Sequence, residues 1–197
     1  MTKFSEFTFP SKDGVHRCHA SLWEPEDAPR AVVQIVHGVA EYAGRYDHFA
    51  RYLADHGVAV CAEDHLGHGK TVDDGKYGYF AKKDGWALVT ADVRQLRVLM
   101  GEKFPGVPYF LLGHSMGSFL ARTYLCTYPG TVDGCILSGT GQEKPALVAA
   151  GEAVASAICA LRGPETVSKL VDQLSLGAYN KQFKPNRTTA DWICRDE

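Results

Sequence analysis

The sequence predicts an α/β domain, a mostly parallel sheet with helices on both faces and an antiparallel hairpin at one edge. Three observations carry that prediction. Between residues 31 and 140 short apolar runs alternate with segments of helical periodicity. Near the N-terminus two strand-like arms flank the turn signal Ser11-Lys12-Asp13-Gly14. Further along, an apolar run ends in Gly113-His114-Ser115-Met116-Gly117, after which the pattern becomes helical.

The hairpin arms are residues 4–9 and 15–23, with alternation in the first, and Pro25 and Pro29 punctuate the loop that follows. Residues 31–38, AVVQIVHG, form a nearly continuous apolar run, the pattern of a strand buried on both faces of a parallel sheet. Residues 45–57 read as a helix that turns Phe49, Tyr52 and Leu53 to one face and stops at Gly57. The next buried strand is VAVCAED at 58–64, followed by a loop rich in glycine. In residues 84–104, Val89, Val93, Leu96 and Met100 recur at i, i+4, i+7 and i+11, an amphipathic helix. Strand 109–115, helix 116–130 and strand 133–140 complete the alternation, which right-handed crossovers would wind into one sheet.

Past residue 141 the rhythm changes to two helices, PALVAAGEAVASAICALRG and PETVSKLVDQLS, with a break at Gly163-Pro164 and no strand-like run after them. The expected division is a core over 1–141 and a helical segment over 142–197. Composition fits an ordinary globular chain, 45% hydrophobic and 22% charged. Its 21 basic and 23 acidic residues leave a net charge of -2 with no basic stripe, which excludes nucleic acid as a partner. Six cysteines stand far apart without a CxxC pair, so they read as free thiols in a reducing compartment. No secretory h-region opens the chain, and the most apolar window, 146–161, is interrupted by Glu152 short of the ~20 continuous apolar residues of a membrane span. A cytoplasmic location is expected.

A GxSxG pentapeptide is weak evidence alone, but here a strand precedes it and a helix follows it, as a strained nucleophile turn requires. The competing reading is a serine capping the helix, with ordinary turn glycines. A second motif, His37-Gly38-Val39-Ala40, ends an earlier strand where such a turn needs its other anion donor. Backbone N–H groups of Val39 and Met116 are therefore expected to converge on the oxygen that becomes negative when Ser115 attacks a carbonyl. Losing one such donor costs ~2.7 to 4 kcal/mol of transition-state stabilisation.

With HGVAEYAGRYDHFARYLADHG (37–57), AEDHLGHGKT (62–71), FPGVPYFLLGHSMG (104–117) and the glycine-flanked strand at 133–140, the chain resembles the α/β-hydrolase family. Within that family it is similar to the monoacylglycerol lipase and bacterial lysophospholipase group, which is serine aminopeptidase S33-like. The resemblance implies a serine esterase acting on small lipid esters through an acyl-enzyme at Ser115. It implies supporting roles for His37, Gly38, Gly113, His114 and Gly117, no cofactor, and a cap beginning after the sixth strand of an incomplete sheet. The stretch 146–161 suits a lid in transient contact with a membrane surface, and equally a helix packed on the core. Glu41 and Arg45 either order the loop after His37 or form a solvated ion pair. His65 and His68 are metal ligands by type, but without a third ligand they read as local hydrogen-bond partners, and no metal is expected. His114 reads as a neighbour of the turn and not as a base.

A serine hydroxyl needs a histidine base and an orienting carboxylate, in this fold in the order Ser, Asp or Glu, His. All eight histidines, at 16, 19, 37, 48, 56, 65, 68 and 114, precede Ser115. Acids follow at Asp133, Glu143, Glu152, Glu165, Asp172, Asp191, Asp196 and Glu197, none just after a strand of the expected kind. The expectation is a chain forming the first part of a longer hydrolase, with acid and base beyond Glu197, inactive by itself and prone to associate through uncovered apolar surface. Open beside it stand a rearranged triad using His37 or His65, a non-catalytic ligand-binding homologue, and an acyltransferase.

Overall fold

Residues 2–174 are described by the computed structural model, in which the chain divides into two compact units, Met1–Gly141 and Gln142–Glu197. The first unit is a six-stranded sheet in the order β1-β2-β4-β3-β5-β6. Its strands are β1 (Lys3–Pro10), β2 (Arg17–Glu24), β3 (Ala31–Val36), β4 (Val58–Glu63), β5 (Tyr109–His114) and β6 (Gly134–Ser138). The hairpin β1–β2 is antiparallel and joins β4 antiparallel, whereas β4, β3, β5 and β6 run parallel. The predicted fold class therefore stands, and the parallel strands β3 and β4 are buried along their length as their apolar runs require.

Three helices cover this sheet: α1 (Asp47–Asp55), α2 (Gly85–Lys103) and α3 (Met116–Thr127). On one face, Val89, Val93, Leu96 and Met100 of α2 and Leu120 and Tyr124 of α3 pack on Val32, Val36, Cys61 and Leu111. Fully burying each such aliphatic side chain contributes ~1.5 to 3 kcal/mol. The opposite face is smaller, with Ala43, Ala50 and Ala54 against Val33, Ile35, Val60 and Ala62. Polar anchors, buried at Asp92 and half-buried at Asp47, fix the periphery. Asp92 of α2 accepts hydrogen bonds from Ser11 Oγ (2.7 Å) and the Lys12 N–H (2.6 Å), pinning the hairpin turn, and the Trp23 indole N–H donates to Asp47 on α1 (2.8 Å).

The helix expected over 45–57 differs in two respects. It begins with a 3-10 turn, Ala43–Tyr46, before α1 proper. Its inward face is alanine, Ala50 and Ala54, with Leu53 half-buried, while Phe49 and Tyr52 are 40% and 57% exposed. Small residues let α1 lie close to the sheet, so the bulky ones point outward.

In the second unit, helices α4 (Pro145–Arg162) and α5 (Lys169–Leu174) are described. The second is shorter than expected, and the reading that no strand follows falls on residues 175–197, outside the described residues. Helix α4 has a mean hydropathy of 1.4 over 18 residues, long and apolar enough to cross a membrane by length and composition. At 1.5 Å per residue it measures ~27 Å. Its window takes in the 146–161 stretch of the sequence, where Glu152 interrupts the apolar run without pulling the mean hydropathy down.

Candidate active site

Strand β5 delivers His114 to the sheet's C-terminal edge, and Ser115 then takes φ 51° and ψ −119° before α3 starts. That conformation is costly for any residue but glycine. Ser115 makes no side-chain capping bond, so the helix-cap reading of this serine does not hold. What holds the strained turn is close packing. A Cβ on Gly113 would overlap the Gly117 carbonyl, and one on Gly117 would overlap the Val36 carbonyl and come within 2.6 Å of His37 O. The two glycines thus let α3 press on the end of β3. Main-chain bonds complete the turn: the Ser115 N–H donates to Ser138 O on β6 (2.9 Å), and Ser118 donates to Ser115 O from both its N–H (2.9 Å) and its Oγ (2.6 Å).

The loop after β3 lies against this turn. A Cβ built on Gly38 would stand 3.2 Å from Ser115 Cβ and 3.3 Å from His114 O. Val39 comes next, 40% exposed, and Ala40 closes the loop with φ 57°. Glu41 holds the loop in shape, its Oε2 accepting from the Gly38 N–H (3.1 Å) and the Tyr46 hydroxyl (2.7 Å). Its Oε1 stands 3.6 Å from Arg45 Nη1 and 3.8 Å from His114 Nε2, so one carboxylate touches both the loop and the turn. Of the two roles open for Glu41, ordering the loop is the one its contacts support. Burial and the adjacent Glu41 carboxylate push the Tyr46 hydroxyl well above its ordinary value, keeping it a donor.

His37 is fully buried. Its Nδ1 bonds to Gly38 O (2.8 Å) and its Nε2 accepts the His65 N–H (3.1 Å), so Nδ1 carries the proton. Burial, aided by His65, holds its pKa well below the usual range. His65 and His68 pack around it, with ring centroids at 3.9 and 5.2 Å. His114 bonds weakly through Nδ1 to Ser138 Oγ (3.3 Å). Among the described residues no hydrogen bond links a histidine to Ser115 Oγ, and both ring nitrogens of His37 are engaged elsewhere. The late acids Asp191, Asp196 and Glu197, like Cys194, lie outside the described residues.

Several residues of this region were not singled out by sequence reasoning. Asp64 accepts from the Ala43 N–H (2.7 Å) and the Lys70 N–H (2.8 Å), stitching the loop after β4 to the 3-10 turn. Its signal was present, since it lies inside AEDHLGHGKT. Glu63 and Gln34 are buried polar residues within apolar runs, where hydropathy averages conceal them. The ligand atoms of His16, Asp73 and Asp74 lie within 4.8 Å of one another, a surface grouping made by two loops distant in sequence. A groove of about 540 Å³ lined by Arg94, Arg97, Val107, Pro108, Thr131 and Asp133 lies at the opposite end of β5 from Ser115, so it is separate from this site.

The family described as serine aminopeptidase, S33, matches residues 27–197. The monoglyceride lipase homolog of monkeypox virus is 33% identical over 175 residues, covering 85% of this chain and 60% of that protein. The monoacylglycerol lipase of Mycolicibacterium smegmatis is 37% identical over 135 residues, covering 68% and 46%. A highly thermostable carboxyl esterase from Bacillus coagulans, solved in complex with glycerol, matches with a TM-score of 0.87 at 34% identity, over 100% of this chain and 63% of that one.

Proposed function

Since the chain belongs to the serine aminopeptidase S33 family and has the α/β-hydrolase fold, we propose that it works as a serine hydrolase of lipid carboxylic esters, monoacylglycerols or lysophospholipids. The observation that carries this reading is the strained Ser115, held by Gly113 and Gly117 with the Gly38 loop packed on its Cβ. Ser115 Oγ attacks the ester carbonyl, the Val39 and Met116 N–H groups bind the oxyanion, and the alcohol leaves to give an acyl-enzyme. The names of the similar proteins favour ester over peptide substrates. By its place in the family's order, the helical segment 142–197 is read as the family's cap segment, and the apolar composition of α4 supports a role for it in contact with a lipid surface. Buried Cys18 and Cys61 favour a reducing, cytoplasmic setting.

This chemistry needs a histidine base placed after Ser115, and residues 116–197 contain none. In the main reading the base comes from outside these residues. The same observation favours a second reading, in which the chain binds ester ligands without turning them over. An activated alkyl phosphonate tests the nucleophile: mass spectrometry is expected to find the adduct on Ser115 and none in Ser115→Ala, and equal labelling of the variant would sink the proposal. Assays with a monoacylglycerol, a lysophospholipid, a short aryl ester and an aminoacyl arylamide then separate esterase from aminopeptidase. Turnover by residues 1–197 that depends on Ser115 would place a base within them.

A further inference from the structure

Behind the loop that carries His37 and Gly38 lies a set of fully buried polar groups that the chemistry above does not use. Glu63, the last residue of β4, is completely buried. Its Oε2 accepts a hydrogen bond from Gln34 Nε2 (3.2 Å). The Gln34 amide cannot be reversed, because its Oε1 accepts from the Tyr109 hydroxyl (2.7 Å) and its Nε2 also donates to Val93 O (3.0 Å). Oε2 is therefore the acceptor oxygen of Glu63. Oε1 stands 3.3 Å from His65 Nδ1 without being aligned for a hydrogen bond, and both atoms, like His65 Nε2, are buried with no hydrogen-bond partner among the described residues.

His65 is also completely buried and passes this constraint on. Its ring stacks on His37, and its main-chain N–H sets which His37 nitrogen is protonated, so that His37 Nδ1–H grips the Gly38 carbonyl. A planar trans peptide points its C=O and N–H in opposite directions. The direction of Gly38 O thereby fixes that of the Val39 N–H.

We propose that Glu63 is a positioning residue of the oxyanion loop: as a neutral carboxylic acid it donates from Oε1 to His65 Nδ1, and the chain His65, His37, Gly38 carries that constraint to the Val39 N–H. What the Val39 N–H does rests on the hydrolase reading; the protonation states do not. A fully buried carboxylate with no cation beside it is far costlier than the acid. The groups around Glu63 supply none. Gln34 faces it from β3, Tyr109 from β5 and Cys61 from its own strand. Cys18 on β2 and Asp92 on α2 lie within its field, as does Asp64, its neighbour in the chain. Arg97 of α2 is spent on the Tyr109 ring (4.4 Å) and Thr131 O (2.7 Å). Burial, with added repulsion from Asp64, pushes Glu63 up to about 8. Burial, with His68 adding to it, takes His65 down to about 3, so the pair is neutral at physiological pH.

When Glu63 ionises, one proton leaves Oε1 for solvent. His65 answers by exchanging its Nε2 proton for one on Nδ1, which now donates to the carboxylate. A negative charge then sits behind the loop and opposes the charge that develops on a bound oxyanion.

The test is two-bond ¹H–¹⁵N NMR on the chain labelled at histidine. Around neutral pH, His65 is expected as the Nε2–H tautomer and His37 as the Nδ1–H tautomer. As the pH passes about 8, His65 is expected to switch to Nδ1–H and the Val39 amide peak to move with the same midpoint. In Glu63→Gln the side-chain amide donates in place of the acid, and both changes disappear. His65 found as Nδ1–H at neutral pH, or a transition that persists in Glu63→Gln, overturns the proposal. Should that variant fail to fold, the ¹³C carboxyl shift of Glu63 in the wild-type chain decides the matter, since an ionised carboxylate at neutral pH also overturns it. For the functional half, the rate of phosphonate labelling at Ser115, taken as wild type over Glu63→Gln, is expected to fall by about tenfold or more across that midpoint. A ratio independent of pH removes the positioning role. Labelling absent in both chains, with the tautomer switch and the Val39 shift present, counts against the hydrolase reading and supports the Glu63 pair.

Discussion

Ser115 occupies a backbone region that costs on the order of 1 to 3 kcal/mol for a non-glycine residue, and its neighbours show what maintains it. Gly117→Ala is expected to be among the most damaging single changes, because its Cβ would overlap the Val36 carbonyl. Displacing α3 from β3 should lower stability by more than ~3 kcal/mol, which urea denaturation followed by circular dichroism would measure. Glu41→Gln keeps the shape but weakens acceptance from Gly38 N–H and Tyr46 Oη, and should slow phosphonate labelling of Ser115 by about tenfold with little loss of stability. The buried ionisable pair makes a further prediction. Glu63, raised from 4.5 to about 8, favours the folded state at low pH and loses that contribution as pH climbs through this window. His65, lowered from 6.5 to about 3, acts in the opposite sense, its contribution present above 6.5 and lost as pH falls. Together they give a stability plateau between 4.5 and 6.5, with a decline of a few kcal/mol toward pH 8 that Glu63→Gln abolishes, at ~1.4 kcal/mol per pKa unit. Chemical denaturation at a series of pH values reads both. The serine and its glycines were legible in the sequence because steric need dictates residue type there. Glu63 was not, since one acid at the end of VAVCAED looks like the strand's polar boundary, and only the fold reveals that it is enclosed.

Helix α1 shows the limit of periodicity as a guide. The 3.6-residue repeat locates the helix and its bulky stripe of Phe49, Tyr52 and Leu53, but a neighbouring stripe of small residues fits the same repeat, and periodicity does not say which of the two faces the core. The sheet instead receives Ala50 and Ala54, with no room for larger groups. Ala50→Leu and Ala54→Leu should each destabilise by ~1 to 3 kcal/mol through overpacking. Phe49→Ser, by contrast, should stay within about 0.5 kcal/mol, as surface changes usually do. Thermal melts of the three variants would show whether the stripe is assigned correctly. Helix α2 posed no such ambiguity, because one stripe holds Val89, Val93, Leu96 and Met100 while polar residues fill much of the rest. The 3-10 turn before α1 was invisible for another reason: it depends on Asp64, distant in sequence, accepting the Ala43 N–H.

Across the whole molecule, the alternation of strand and helix disclosed a parallel sheet but not its order. That β2 pairs with β4, and that β3 lies between β4 and β5, comes from crossovers and shared burial that no local window contains. This order brings the ends of β3 and β5 together, so that two motifs far apart in the chain meet at one place. It also leaves β6 as the outer strand of the described sheet, with Ile136 52% and Leu137 38% exposed. The Ser115 amide is bonded to the carbonyl of Ser138, the last residue of that strand. Outer strands open more readily than central ones, and each opening frees the strained turn to relax. In amide exchange, Ser115 should therefore keep time with β6 and not with the slow interior of β3. The lifetime of the reactive geometry is set by the least protected pairing in the sheet, and any polypeptide that lengthened the sheet along β6 would prolong it without touching the serine.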